Sequence, residues 1–336
     1  MTNQSTPSYT GDIAEQHIDP WQEYTAESQE IHFTEEQHAI WADLFAGVHQ
    51  SHLLEHIVSK HRTGLDLLKL DPKRIPSVAH LNAHITPHTG WRIERTVVRY
   101  TPADDWYKKF AQRVFLITDY LRTRDQMEFT PEPDMFHDIF GHLPFLTQKF
   151  YADIEDKFAP AYLKAAQDER EIIKRLAWYS TEFGLVVEDK RFKVFGAGII
   201  SGRKELTRTI MEFYRLGRDN VIDYAQPIYP QLYEHFLANK DDLYRIIDGV
   251  NELHRHGEMS SADEGWNVVL GLYKKLNIKP KGIFGGEVII VPFDIETIAR
   301  IPKTVYAFNP MLFVCESLEK LDALLDSYLK PIALRN

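Results

Sequence analysis

The chain has 336 residues and a mass of 39.2 kDa, which corresponds to one large domain or about two of average size. Its 39 Lys and Arg and 49 Asp and Glu leave a net charge of −10, and without a basic block this argues against binding of nucleic acid or an anionic membrane. The single cysteine, Cys315, excludes a disulfide framework and a cysteine-rich metal site within one chain. No secretory leader and no apolar run near the ~20 residues of a membrane helix is visible, so the sequence predicts a soluble, cytoplasmic protein.

Hydrophobic periodicity divides the chain into a polar arm, a mainly helical body and a tail with strands. Residues 1–30 are predicted to be a flexible arm. Apolar residues at three- and four-residue spacing predict helices over 33–68, 106–121, 153–166, 169–187 and 317–329, with another that starts at Asp134 or Met135. Near-alternating apolar residues predict a short strand within 91–100 and one or two strands after Glu287.

The densest group of chemistry-bearing residues is PEPDMFHDIFGHLPF, residues 131–145, which contains His137 and His142. Side chains five apart on a regular helix point about 140° away from each other. The two histidines therefore share a face only if the helix ends near Gly141 and Pro144, so that His142 turns back. The spacing also departs from the HExxH of hydrolytic zinc sites. The best third ligand is Glu182, because an ionised carboxylate in the apolar stretch LAWYSTEFGLVV is costly unless it is paired or binds a metal.

Two histidines and one carboxylate with open coordination positions are typical of non-haem Fe(II) oxygenases. The residues alone leave an alternative open, in which His137 and His142 are hydrogen-bonded core histidines and Glu182 pairs with an arginine. A second metal site at His80, His84 and His88 is not predicted, because Pro87 is expected to interrupt any helix there.

Residues 75–321 resemble the catalytic domain of the pterin-dependent aromatic amino acid hydroxylases, most closely the short bacterial phenylalanine hydroxylases. The matching segments occur in the family's order and are IPSVAHLN, TGW, FAQRVFLITDYLR, TPEPDMFHDIFGHLPFL, WYSTEFGL, FGAGIISG and FVCESLEKL. The resemblance implies the family's mainly α fold with minor β, and an iron bound by His137, His142 and Glu182.

The resemblance also implies where the substrate binds. Arg122 matches the arginine that binds the amino-acid carboxylate, a task that suits a guanidinium fork. The other implied substrate positions are the polar or close-approach residues Thr130, Gly198 and Ser201 and the apolar walls Phe129, Pro131, Trp178 and Phe183.

Three departures from the family pattern concern the pocket, the cofactor and the chain length. Ala177 stands where the phenylalanine hydroxylases carry a tyrosine, which predicts a larger or wetter pocket. Val98-Arg99 replaces the Pro-Gly pair of the pterin loop, while Trp106 keeps the stacking aromatic, so the predicted cofactor residues are Trp106, Arg99 and Asp138. A helical insertion at about 207–286 is predicted to interrupt the catalytic domain, which spans 31–336.

The resemblance thus implies an Fe(II)- and tetrahydropterin-dependent monooxygenase that uses dioxygen to hydroxylate the ring of a free aromatic L-amino acid, with phenylalanine to tyrosine favoured. Three alternatives remain: an iron oxygenase of a different or modified aromatic substrate, a pterin-independent oxygenase, and a non-catalytic binding protein. A monomer or small homo-oligomer is expected, because no regulatory domain or coiled coil is visible.

Overall fold

The computed structural model describes residues 31–99, 101–128, 130, 133–215, 288–301, 303, 309 and 311–335. The predicted arm over 1–30, residues 216–286 of the predicted insertion, and the substrate positions Phe129 and Pro131 lie outside the described residues. The described part of the predicted insertion, 207–215, belongs to a helix that begins at Arg203.

Helices make up most of the described chain, in agreement with the predicted mainly α class. The α-helices are α1 (Glu35–Val48), α2 (Ser51–Leu54), α3 (Ser59–Leu68), α4 (Val78–Thr89), α5 (Ala103–Phe110), α6 (Leu143–Leu146), α7 (Lys149–Glu155), α8 (Phe158–Lys164), α9 (Gln167–Ala177), α10 (Ala197–Ile200), α11 (Arg203–Arg215), α12 (Ile295–Arg300) and α13 (Leu318–Ala333). Two further segments are wound as π-helices, here named π1 (His137–His142) and π2 (Trp178–Glu182).

Two small sheets supply the minor β content. The first pairs β1 (Arg92–Thr96) with β2 (Val114–Thr118) in parallel. The second contains β3 (Leu185–Glu188), β4 (Arg191–Val194), β5 (Ile289–Pro292) and β6 (Met311–Cys315). Its strand order is β4-β3-β6-β5, with β3 antiparallel to β4 and parallel to β6, and with β6 parallel to β5. The sheet therefore joins the chain on both sides of residues 216–287.

One continuous hydrophobic core surrounds the two π-helices. Phe136 and Phe140 stack with ring centroids 5.0 Å apart, and the edge of Trp41 in α1 meets Phe136 at 5.3 Å. All six residues of π1 are buried. The segment that carries the two candidate histidine ligands is therefore held on several sides by packed side chains, which restricts its movement.

The helix predicted over 106–121 is wrong in its second half. Helix α5 ends at Phe110, Arg113 adopts a left-handed backbone (φ 55°), and the run VFLIT then forms β2, with every residue buried. A strand buried on both faces has no period-2 pattern, so its continuous apolar run is easily taken for the face of a buried helix.

The helix predicted over 33–68 is divided among α1, α2 and α3, and two other predicted helices are shorter than expected. The segment over 153–166 is divided between α7 and α8, and the segment over 169–187 ends as π2, after which β3 begins. The expectation that Pro87 interrupts any helix is wrong, because α4 runs from Val78 to Thr89 and contains Pro87 in its last turn. The imidazoles of His80 and His84 lie 2.8 Å from the carbonyls of Leu68 and His80.

Cys315 is buried in β6 as a free thiol, and burial raises its pKa to about 11. A buried, protonated thiol of this kind acts as a small apolar side chain. Within the part of the chain that the structure describes, every helix lacks either the length or the apolar composition needed to cross a bilayer.

Candidate active site

Both segments that carry the candidate ligands are π-helical. His137 is the first residue of π1 and His142 the last, and Glu182 is the last residue of π2. In a π-helix the hydrogen bonds run from i to i+5, so side chains five apart lie about one turn apart on the same side. The expectation that the helix ends near Gly141 and Pro144 is wrong, because π1 continues directly into α6. The wider turn of the π-helix brings the two histidines to the same side.

The three side chains converge on one point. The Nε2 atoms of His137 and His142 lie 3.1 Å apart, His142 Nε2 lies 3.1 Å from Glu182 Oε1, and His137 Nε2 lies 3.5 Å from Glu182 Oε2. Ligand atoms bonded at about 2.1 Å to one ion and at right angles to each other would be about 3.0 Å apart. The observed separations therefore fit one shared cation. Among the described residues, this is the group of His, Cys, Asp and Glu side chains close enough to hold a metal ion.

The electrostatics favour a cation at this point. Burial lowers the pKa of His137 to about 4, so its imidazole is neutral at pH 7. Burial would raise the pKa of Glu182, but His142 and His137 outweigh it and hold that pKa at about 2. Burial opposes a proton on His142, yet Glu182 raises its pKa above the ordinary value. A bound cation would take the place of that proton next to Glu182.

The second ring nitrogens of the two histidines differ in their surroundings. Nδ1 of His137 lies 3.0 Å from the hydroxyl of Ser201, which follows α10. Nδ1 of His142 is buried without a hydrogen-bond partner among the described residues, and its ring contacts Phe115 at 5.2 Å. The orientation of His137 is thus fixed by a hydrogen bond, and that of His142 by packing.

Arg122 is anchored by a buried carboxylate. Its Nε and Nη2 donate to the two carboxylate oxygens of Asp134 at 2.8 Å each, and both side chains are almost fully buried. Asp134 also accepts the backbone N–H groups of Arg122 and His137. Burial would raise the pKa of Asp134, but Arg122 holds it below its usual value. Arg122 is one of the residues that line the cavity described next.

A cavity of about 240 Å³ opens over the three candidate ligands. Its lining includes every described residue of the predicted site: Arg99, Trp106, Arg122, Thr130, His137, Asp138, His142, Trp178, Glu182, Phe183, Gly198 and Ser201. Ala177 also lines it, at the position for which a larger pocket is predicted. The structure thus brings the described members of the predicted site together around one space.

The predicted ring walls Trp178 and Phe183 pack against each other, with centroids 4.4 Å apart and planes 40° apart. A Cβ on Gly198 would lie 2.5 Å from Cζ of Phe183. Only glycine therefore lets the Phe183 ring approach α10 this closely, which explains the need for Gly198 at this position.

The predicted cofactor residues line the same cavity. Trp106 stacks on Phe110 at 5.4 Å and meets the Phe115 ring edge-on at 5.1 Å. The Arg99 guanidinium lies 3.9 Å from the centroid of the Tyr120 ring. Asp138 accepts the backbone N–H of Thr118 at 2.8 Å, and burial raises its pKa to about 8.

Sequence reasoning missed several polar residues of the cavity region, among them Glu155, Glu205, Lys303 and Asn309. Glu155 accepts the Tyr151 hydroxyl at 2.6 Å, Glu205 accepts two hydrogen bonds from Asn309, and Lys303 lies over the Trp178 ring. Lys303 follows the segment IARIP, which is mostly apolar but contains Arg300, so the signal that identified Glu182 is weaker here. Asn309 carries no comparable signal, because its role depends on tertiary contacts.

Curated relatives align with much of the chain. It is 29% identical over 242 residues to a phenylalanine-4-hydroxylase of Pseudomonas aeruginosa, covering 68% of this chain and 91% of the relative. It is 35% identical over 175 residues to a phenylalanine-4-hydroxylase of Chromobacterium violaceum, covering 52% of this chain and 58% of the relative.

Solved structures share the fold. The Chromobacterium violaceum phenylalanine hydroxylase bound to cobalt superposes with a TM-score of 0.61 at 23% identity, covering 90% of this chain and 84% of the other. The apo cold-active phenylalanine hydroxylase from Colwellia psychrerythraea 34H gives 0.62 at 20% identity, with coverages of 93% and 92%. These likenesses confirm the predicted fold class.

A family model described as biopterin-dependent aromatic amino acid hydroxylase matches residues 14–229. The matched range exceeds half of the chain and includes both π-helices and the Arg122–Asp134 pair. The chain therefore belongs to the biopterin-dependent aromatic amino acid hydroxylase family.

Proposed function

We propose that the protein is an Fe(II)- and tetrahydropterin-dependent monooxygenase that hydroxylates the ring of a free aromatic L-amino acid, converting phenylalanine to tyrosine. The observation that carries the proposal is the convergence of two imidazole nitrogens and one carboxylate, 3.1–3.5 Å apart, at the wall of the cavity. Two histidines and one carboxylate on one side of an ion leave its other positions open, as non-haem iron oxygenases require.

In this proposal His137, His142 and Glu182 hold the iron, and the bound iron and pterin together supply the activation of dioxygen. The protein's own contribution is to hold the substrate. The free edge of the Arg122 guanidinium binds the carboxylate of the amino acid, since Asp134 occupies the opposite edge and keeps the fork in place. Phe129, Thr130 and Pro131 are proposed as further substrate contacts.

Trp178, Phe183, Gly198 and Ser201 complete the proposed substrate site. The two aromatic rings form a wall on which the substrate ring packs, and the fixed carboxylate at Arg122 orients that ring toward the iron. Holding reactants in one geometry lowers the barrier without any further chemical group.

The proposed pterin site lies at Trp106, Arg99 and Asp138. Trp106 is half-buried and offers an aromatic face for stacking. Asp138, whose raised pKa keeps it largely protonated at pH 7, can donate as well as accept a hydrogen bond. Arg99 brings a positive charge to the place where the family pattern has glycine.

The test is an oxygen-consumption assay of the protein reconstituted with Fe(II), with phenylalanine, tyrosine or tryptophan as substrate, with and without tetrahydropterin. We expect oxygen uptake and tyrosine formation from phenylalanine only when the pterin is present. Full turnover without pterin would overturn the cofactor assignment, and no turnover with any substrate would overturn the function.

Matched variants test the iron assignment in the same preparation. Glu182→Ala should lose bound iron and turnover together. His80→Gln replaces a histidine whose imidazole faces the Leu68 carbonyl, and it should retain both. Retention of iron by the Glu182 variant would contradict the ligand assignment.

A further inference from the structure

Lys303 places a buried cation in the wall of the cavity. The residue is 8% exposed, and its ammonium lies 4.7 Å from the centroid of the Trp178 ring. Among the described residues no carboxylate lies within 4.0 Å of it, although Glu182 and Glu171 are near enough to favour its charge. Burial lowers the pKa of Lys303 to about 8, which leaves the amine mostly protonated at pH 7.

A buried ammonium without an acceptor is unfavourable, and a ligand oxygen would relieve that cost. Lys174 offers a direct comparison, since it lines the same cavity. Its ammonium is bound by Glu171 at 2.6 Å, so it has no need of a ligand. Lys303 is the described lysine of this cavity that the protein itself does not pair with a carboxylate.

The surface beneath Lys303 is fixed in place. The Trp178 indole N–H donates to Asn309 Oδ1 at 2.9 Å. Asn309 in turn donates its backbone N–H and its Nδ2 to Glu205, at 3.2 and 3.3 Å. These bonds hold the indole plane, and therefore the aromatic face over which Lys303 lies.

The space beside this surface can take a substituent. Ala177 lines the cavity next to Trp178 and presents only a methyl group. Lys303, Trp178 and the proposed iron ligand Glu182 all line this one cavity. A substrate ring held beside Trp178 in that cavity would therefore lie near the Lys303 ammonium, which is 4.7 Å from the Trp178 ring.

We propose that Lys303 donates a hydrogen bond to an oxygen substituent on the substrate ring, so that the site, which accepts phenylalanine, binds an aromatic amino acid whose ring carries a hydroxyl or carboxylate group more tightly. This inference rests on the proposed function and adds a second class of ligand to the same site. Arg122 binds the amino-acid carboxylate, and Lys303 binds the oxygen substituent of the ring.

The test measures binding by calorimetry to the full chain loaded with Fe(II), under nitrogen and without pterin, so that no turnover occurs. The ligands are L-phenylalanine, L-tyrosine, 3-hydroxy-L-phenylalanine, and 3- and 4-carboxy-L-phenylalanine. The wild type should bind at least one ring-oxygen ligand about tenfold more tightly than phenylalanine, the size of effect expected for one charge-assisted hydrogen bond. The hydroxyl and carboxylate ligands show which oxygen group is preferred.

Lys303→Met keeps the apolar stem and removes the charge. It should lose the preference for ring oxygen and bind phenylalanine at least as tightly as the wild type, because no uncompensated ammonium remains. The control Lys174→Met should keep the preference. Equal affinities for all ligands in the wild type, or an unchanged preference in Lys303→Met, would overturn the inference.

If Lys303→Met does not fold, Lys303→Gln is measured, because it removes the charge but keeps a polar side chain of similar length. An unchanged ranking of the five ligands in that variant would also overturn the inference. Failure of the proposed function is detected by a different measurement. If the protein consumes no oxygen with iron, pterin and any of the five ligands, the proposed activity is refuted. The binding preference is measured without turnover and does not depend on that result.

Discussion

Side chains that hydrogen-bond to the proposed ligands determine how those ligands are oriented. Ser201 is the residue whose hydroxyl contacts Nδ1 of His137, and it comes from a different segment of the chain, 64 residues away. Partners of this kind fix the tautomer and ring orientation of a metal-binding histidine. The site therefore depends on how α10 packs against π1.

Ser201→Ala is expected to weaken metal binding while leaving all three proposed ligands in place. Loss of such an outer partner typically lowers metal affinity about 10–100-fold. The measurement is a titration of the apoprotein with Co(II), followed by the visible absorption of the bound ion. Thr147→Val removes another buried hydroxyl, one that donates to the Pro144 carbonyl, and serves as the control. Equal affinities in wild type and Ser201→Ala would show that packing alone orients His137.

Asp134→Asn is expected to destabilise the protein by about 3 kcal/mol, because removing one partner of a buried ion pair leaves the other charge uncompensated. The control is Asp156→Asn, since Arg113 and Asp156 form the same two-bond pair but Arg113 is half-exposed. That exposed pair should be worth less than about 1 kcal/mol. Urea unfolding of the three proteins at pH 7 measures both differences.

The lowered pKa of Asp134 fixes the direction in which its contribution to stability changes with pH. Because the folded pKa of Asp134 lies below its ordinary value, its contribution is fully present above about pH 4 and is lost as the pH falls through the folded pKa. The stability gap between wild type and Asp134→Asn should therefore be constant from pH 5 to 7 and narrow in acid. A gap that widens in acid would contradict the assigned pair.

At the scale of elements, the sequence predicts amphipathic helices well and buried strands poorly. Thr34 and its capping interactions begin α1 where the sequence predicts, and α13 also lies where it is predicted. By contrast, β2 is buried on both faces and β3 is only four residues long, so neither shows a clear alternation of apolar and polar residues. Local sequence does not encode the π-helical winding, because it depends on how the surrounding helices pack.

Helix α3 supports π1 through a close backbone contact. Its His61 places Nε2 2.8 Å from the Phe140 carbonyl within π1. Gly64, one turn later, faces Pro144 in α6, and a Cβ there would lie 1.9 Å from the Pro144 carbonyl oxygen. No rotation of a side chain can relieve a clash with backbone, so α3 would have to move away from the ligand-bearing segment.

Gly64→Ala is therefore expected to destabilise the protein by about 2 kcal/mol or more, as overpacking of a rigid contact does. Gly47→Ala in α1 is the matched control, because its Cβ would meet only the flexible Arg203 side chain, at 3.4 Å. That substitution should be neutral or stabilise by up to about 1 kcal/mol through helix propensity. Thermal and urea unfolding distinguish the two, and similar values for both would disprove the close contact.

At the scale of the whole molecule, the cavity is closed by parts of the chain that are far apart in sequence. The ligand motifs and Arg122 could be recognised from local patterns. Lys303 and Asn309 come from the tail, more than 120 residues after Trp178, and only the folded structure brings them to it. The second sheet brings the tail close to Trp178, because the tail strand β6 pairs with β3, and β3 follows π2 in the chain.

Glu205, whose bonds to Asn309 connect the tail to the cavity, makes the stability of the protein depend on pH. Burial raises the pKa of this carboxyl to about 7, although Asn309 donates two hydrogen bonds to it. Between the unfolded pKa of about 4.5 and the folded value, the native state keeps a proton that the unfolded state has lost. Stability therefore falls as the pH rises through this range, by up to about 1.4 kcal/mol per pH unit.

Glu205→Gln removes this titration and keeps an oxygen that accepts both hydrogen bonds from Asn309. Relative to wild type, the variant should gain about 2–3 kcal/mol of stability between pH 5 and pH 8, the span over which Glu205 of the folded protein loses its proton. Glu169→Gln is the control: Arg335 lowers the pKa of the partly exposed Glu169 carboxyl, so that group is ionised in both states throughout this range. The stability difference between this variant and wild type should therefore stay constant. Urea unfolding at the two pH values measures both. If the Glu205 difference does not change with pH, the Glu205 carboxyl is ionised in the folded protein, and its bonds to Asn309 then anchor Trp178 through a buried charge.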